Sequence, residues 1–217
     1  MILLQKEKNT ISMRGTIGDI EGGCTATDFS AALTELEGQD VVVELDSEGG
    51  SVTEGLAIFN AIARHDGDVT VIIDTLAASI ATVICCAASK VKMNSNAKYF
   101  VHRAWTVAAG NCRDFMSTAQ LLEMMDGDIA STYANKAGIG EDEALKLMDN
   151  ETWMSAQEAL DYGFVDEIVE ISGKHSVQNS THLPAEGNTE MLDALVRKIS
   201  NLSARVSVAK TVIHTQK

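Results

Sequence analysis

Positive charge is scarce in this chain: 17 Lys and Arg stand against 31 Asp and Glu, a formal net charge of −14 over 217 residues. Nucleic-acid backbones are held largely by clustered cations, so nucleic acid is not an expected partner. Long apolar runs are missing too. The most apolar stretch, Leu76 to Ala88, falls well short of the ~20 residues a bilayer span needs, and Asp74 and Lys90 flank it. The start, Met1 to Lys8, is too short and too charged after its apolar tripeptide to read as a secretory signal, so no membrane association is expected. The four cysteines (Cys24, Cys85, Cys86, Cys112) lack metal-ligand spacing, and Cys85 and Cys86 adjoin within an apolar segment. That usage suits reduced core thiols and a cytoplasmic setting better than a disulfide framework, and neither metal nor cofactor is expected. Proline occurs once, at Pro184, inside a Ser-, Asn-, Thr-, His- and Gly-rich stretch that reads as a linker.

What is present is a succession of strand-then-helix units, each opened by β-branched residues and closed by a turn. This pattern predicts an α/β fold with parallel pairing through right-handed crossovers. In the first unit Ile11 to Ile17 reads as a strand, and Thr25 with Asp28 caps a helix carrying Phe29, Leu33 and Leu36, stopped by Gly38. In the second, Val41 to Leu45 is a near-continuous apolar strand, and Ser51-Val52-Thr53-Glu54 has capping-box spacing for a helix that Gly67 ends. In the third, Val69 to Ile73 is a strand and Ser79 to Ala88 a helix. Consecutive units of one hand bring equivalent strand ends together, which places Gly50 near Ser79.

Asn111 and Asp114 cap a long helix running to about Ala137, with Phe115, Ala119, Leu122, Ile129 and Tyr133 on one stripe. Its methionines, Met116, Met124 and Met125, read as packing against the core or a sister subunit. A turn and shorter helix follow from Gly138 to Met148; Ser155 to Glu158 is another capping box, its helix ending at Gly163, and Phe164 to Val169 is the last strand. Residues 1–171 then form the body, 172–188 the linker and 189–217 a helical tail, in which Leu192, Leu195, Ile199, Leu202 and Val206 make a short coiled-coil seam.

The chemistry concentrates at one predicted sheet edge. Ser79 sits where an apolar strand turns into a small-residue helix, and His102 ends another short strand, Tyr99-Phe100-Val101-His102. A serine hydroxyl is a poor nucleophile at neutral pH, and histidine is the side chain best poised to activate it. Gly49-Gly50 closes one strand and opens one helix, so its N–H groups, like that of Ile80, are placed to meet developing negative charge. Lys90 and Lys92 raise a Ser-Lys alternative, but Lys90 lies beyond the far end of the helix that Ser79 starts. Glu141, Asp142 and Glu143 read as a solvated helix start rather than a metal site.

At Asp46-Ser47-Glu48-Gly49-Gly50-Ser51-Val52, Ala77-Ala78-Ser79, Phe100-Val101-His102, Trp153 to Ala159 and Tyr162 to Asp166, the chain resembles the Clp-type serine peptidases, over residues 10 to 170. Within that family Glu151-Thr152-Trp153 is similar to the phage and prophage head-maturation branch. The resemblance implies a spiral of ββα units shared with crotonases. It also implies a nucleophile at Ser79, a base at His102, an oxyanion hole at the Gly50 and Ile80 N–H groups, and substrate contacts at Gly49 and Ser51. The third triad member falls at Glu151, with Asp149 the alternative; the family's usual residue there is aspartate. Glu48 replaces the proline usual before the glycine pair. The activity implied is peptide-bond hydrolysis by a closed homo-oligomeric ring acting on capsid or scaffold protein, in the host cytoplasm or the prohead. An ATPase unfoldase is the least supported of the family's associations, because the N-terminal pore-forming segment is short here. The competing readings are a crotonase-like acyl-CoA enzyme and a non-catalytic assembly protein.

Overall fold

A computed structural model describes residues 1–19 and 22–171; the expected linker and coiled-coil tail lie outside the described residues. These fall into two compact units: Met1–Ala104 with Glu123–Ser172, and a second that takes in Trp105–Leu122.

The larger unit is built on a mostly parallel sheet. Strands β2 (Thr10–Arg14), β3 (Val41–Ser47), β4 (Val69–Ala78) and β5 (Lys90–Asn94) pair in parallel in that order, with β8 (Glu167–Val169) beyond β5. The antiparallel β1 (Ile2–Gln5) flanks β2. The parallel order follows the expectation from the strand–helix repeats. Alternation along β3 buries Val41, Val43, Leu45 and Ser47 and leaves Val42, Glu44 and Asp46 half-buried, so this strand is not apolar on both faces as its composition suggested.

Strand β4 is longer than expected and, on the edge away from β3, serves two neighbours. Its first half pairs with β5 and its second with β6 (Lys98–Val101), which in turn pairs antiparallel with β7 (Thr152–Ser155). This change of partner carries the chain end of β6 alongside the end of β4.

The helices start where local chemistry predicts. Thr25 accepts from the Asp28 N–H to cap α1 (Ala26–Thr34), and Ser51 caps α2 (Val52–Ala63). Ser155 and Glu158 complete a reciprocal capping box on α6 (Ala156–Asp161). Glu54, however, does not return to Ser51: its Oε2 accepts the Ala26 N–H of α1 at 2.6 Å, joining two helix starts. Helix α2 ends at Ala63, before Gly67, whose absent Cβ instead lets the chain lie on Gln39, where an added Cβ would come 2.1 Å from the carbonyl oxygen. Helix α3 (Ile80–Cys85) is shorter than the expected Ser79–Ala88 because the chain must turn into β5. Asn111 Oδ1 accepts from the Arg113 and Asp114 N–H groups at the start of α4 (Cys112–Ala137), and α5 is Glu141–Asp149.

Candidate active site

The end of β4 delivers Ser79 in a conformation few L-residues adopt, φ 57° and ψ −131°. Three backbone bonds hold it there. Its N–H donates to Phe100 O at 3.0 Å, and its carbonyl accepts from the Thr82 N–H at 2.9 Å and the Thr82 hydroxyl at 2.5 Å. Thr82 is itself fixed by Tyr133, whose hydroxyl lies 2.6 Å from Thr82 Oγ1, and by Tyr99, which donates to Thr82 O at 3.1 Å. A serine at a helix start normally spends its hydroxyl on capping. Ser79 makes no such bond. Its backbone is committed, and its hydroxyl has no hydrogen-bond partner among the described residues.

Directly beside it lies the Gly49–Gly50 turn. A Cβ on Gly49 would sit 2.7 Å from Ser79 Cβ and 3.3 Å from Ile80 N, so only glycine allows this approach. The turn is locked by Ile17, which donates to Gly49 O and accepts from Ser51 N, both at 2.8 Å. Between those bonds, the Gly50 N–H has no acceptor among the described residues. The Ile80 N–H, first in α3, has no intrahelical partner.

The parallel register of β4 and β6 sets Ala78 beside Phe100, so His102 emerges next to the serine turn. Ser79, Ile80, His102, Arg103 and Ala104 line one small cleft whose apolar walls are Val52, Val83, Ile129 and Tyr133. The imidazole stacks on Phe100 (centroids 5.2 Å apart, 16° between planes), which stacks on Trp153 of the paired β7 (4.3 Å, 24°). Burial lowers the His102 pKa from its ordinary 6.5, and the charge of Glu151 is the first influence opposing that shift.

The two carboxylate candidates separate. Asp149 is held by Arg103 through its Nε to Oδ1 and its Nη2 to Oδ2, the latter at 3.0 Å, and this pairing lowers its pKa. Glu151 sits just past the end of α5 at φ 46°, is exposed, and acts on His102 through its charge. Lys90 is on β5, 2.5 Å from Glu167, and Lys92 meets the same carboxylate at 3.1 Å; neither lines the cleft. Sequence reading passed over Arg103, Asp126, Thr82 and the Trp153 side of the stack. The period-two spacing of Phe100 and His102 was the one available signal, since it puts both on the same strand face.

Residues 8–172 match the family described as Clp protease. The chain belongs to the Clp protease family. Among curated relatives of this family member is an "ATP-dependent Clp protease proteolytic subunit" of Bacteroides fragilis, 30% identical over 151 residues, covering 67% of this chain and 73% of that protein. One from Streptococcus sanguinis is 33% identical over 155 residues (68% and 79%). Another from Leifsonia xyli subsp. xyli, "proteolytic subunit 1", is 32% identical over 151 residues (67% and 77%). The Clp protease family shares the α/β arrangement read from the strand–helix repeats. No helix among the described residues is long and apolar enough to cross a membrane.

Proposed function

We propose that this Clp protease family chain is a serine endopeptidase. The observation that carries the reading is the strained serine turn at Ser79, whose hydroxyl caps no helix N–H, in a cleft shared with His102 and against a glycine turn whose Gly50 N–H has no acceptor among the described residues. Ser79 Oγ attacks the scissile carbonyl carbon while His102 takes its proton. The Gly50 and Ile80 N–H groups hold the oxyanion that forms. When the C–N bond breaks, His102 returns the proton to the leaving amine; water then enters, and the same histidine activates it to hydrolyse the acyl-enzyme. Glu151 stabilises the imidazolium, a role that falls to it because Asp149 is already paired with Arg103. Gly49 and Ser51 flank the oxyanion donor and present backbone to an extended peptide.

The working form is a homo-oligomeric ring. Phe115, Met116 and Leu121, on the first turns of α4, are exposed in the single chain, and a second copy would cover them. The substrates are capsid or scaffold proteins of a phage or prophage, a reading supported by Glu151-Thr152-Trp153, and the site of action is the host cytoplasm or the prohead. The relatives are named ATP-dependent, but acyl transfer at Ser79 consumes no ATP, so short peptides need no ATPase.

Labelling of the purified full-length chain with a fluorophosphonate probe, read by intact mass, tests the chemistry. One adduct, lost in Ser79→Ala and in His102→Ala, is the expected result. No adduct in any assembled state would move the function to non-catalytic assembly. Incubation with the cognate capsid and scaffold proteins tests the substrate: discrete fragments absent with Ser79→Ala are expected, and intact proteins would remove that part of the proposal.

A further inference from the structure

Arg103 follows His102 directly, and its guanidinium engages two carboxylates. Nε and Nη2 engage both oxygens of Asp149, and Nη1 lies 3.1 Å from Asp126 Oδ2. Asp126 is buried on α4, and its second oxygen accepts the Ala104 N–H at 2.7 Å. The contacts therefore reach both chain segments that the reaction needs: the end of β6, which carries His102, and the end of α5, where Asp149 stands two residues before Glu151.

We propose that Arg103 is a positioning residue, locking the strand end that carries His102 to the turn that carries Glu151, with Asp126 as the buried anchor. This rests on the reading of His102 and Glu151 as base and acid. A buried carboxylate is costly unless fully paired, and both oxygens of Asp126 are spent on residues 103 and 104. A two-pronged guanidinium–carboxylate contact sets direction as well as distance, which a lysine ammonium cannot reproduce. The β6–β7 ladder sets Thr152 opposite Val101, but Glu151 lies one residue past that pair, exposed and just outside a helix, so the direction of its approach to the imidazole needs a second constraint. The Arg103–Asp149 fork supplies that constraint two residues away.

The test measures peptide-ester turnover by the full-length chain, with Asp149→Asn, Arg103→Lys, Arg103→Gln and the Arg103→Gln/Asp149→Asn double variant. Asp149 is exposed and its replacement isosteric, so that variant carries the test even where Arg103→Gln fails to fold; circular dichroism and sedimentation establish the fold of each. Asp149→Asn is expected to lower kcat by about 10-fold with KM within about twofold, because a misplaced catalytic group costs rate rather than binding. Arg103→Lys should restore little, and the double variant should be no slower than Arg103→Gln alone. Unchanged kcat in Asp149→Asn, or single effects that multiply in the double variant, would overturn the clamp. His102→Ala and Glu151→Gln separate the two levels. If they keep full turnover, the reading of the site falls; if they lose it while Arg103 and Asp149 variants keep it, only the clamp falls.

Discussion

Ser79 and Glu151 both hold positive φ without being glycine, at 57° and 46°, and they flank His102 from two different parts of the chain. Such conformations cost on the order of 1–3 kcal/mol each and persist only when the surroundings over-determine them. At Ser79 the surroundings are the Phe100, Thr82 and Gly49 contacts. Gly49→Ala would force a Cβ to within 2.7 Å of Ala78 O and Ser79 Cβ at φ 92°. We expect a lowered melting temperature together with loss of fluorophosphonate labelling; a folded, fully labelled variant would show that the turn can move. The histidine gives a second prediction. Its pKa lies below 6.5 through burial, so the neutral base persists to more acidic pH than an exposed histidine would allow. The acid limb of kcat/KM should then fall below pH 6.5. Because the Glu151 charge raises this pKa, Glu151→Gln should move the limb further down while reducing kcat. The sign is the same for stability. Between the depressed folded value and 6.5 the unfolded chain binds more protons, so the contribution of neutral His102 is complete above 6.5 and is lost as pH falls through that window.

Among the elements, β4 does most to assemble the cleft. Its ten residues exchange β5 for β6 as neighbour, and the exchange sets Phe100 and then His102 beside the serine turn. Helix α3 begins at once and is packed so closely on α2 that a Cβ on Gly55 would lie 2.2 Å from Ile80 Cγ1. The hydroxyls of Thr82 and Tyr133 fasten this corner from below, both buried. Thr82→Val leaves the Tyr133 hydroxyl buried without that partner and removes the bond to Ser79 O, so a loss of about 1–3 kcal/mol is expected. Tyr133→Phe leaves the Thr82 to Ser79 bond in place and should cost nearer 1 kcal/mol. Denaturant unfolding of both variants checks the order; equal losses would mean that the two hydroxyls do not act as a chain.

For the whole molecule, the balance of charge and apolar exposure points outward from the site. On the half-buried face of the sheet Arg14 is ringed by Glu44, Asp46 and Asp74, and Lys90 and Lys92 share Glu167, so ion pairs stand on that face beside the half-buried Val42 and Ile72. The exposed apolar residues Phe115, Met116 and Leu121 are concentrated on α4 instead. For Met116 and Met124, both exposed, a place in the core is ruled out, which leaves the sister-subunit alternative as the proposal. Phe115→Asp should therefore reduce the assembly mass seen by sedimentation; an unchanged mass would place the contact elsewhere.

Much of this molecule is legible in its sequence because the relevant physics is local. Thr25, Ser51 and Ser155 announce helix starts through hydrogen bonds to backbone a turn away, and the strand–helix repeats announce a parallel sheet. The proximity of Gly50 to Ser79 followed from the same repeats. The strands β1, β5 and β7 were not expected: Lys90–Asn94 does alternate polar and apolar residues, but over only five positions, and segments this short become strands only where a neighbouring strand pairs with them. Glu54 chose the start of α1 over its own helix, and Arg103 chose carboxylates 23 and 46 positions away. Those choices depend on which strand ends meet, and local sequence has no means of stating a distance between residues that only the sheet register brings together.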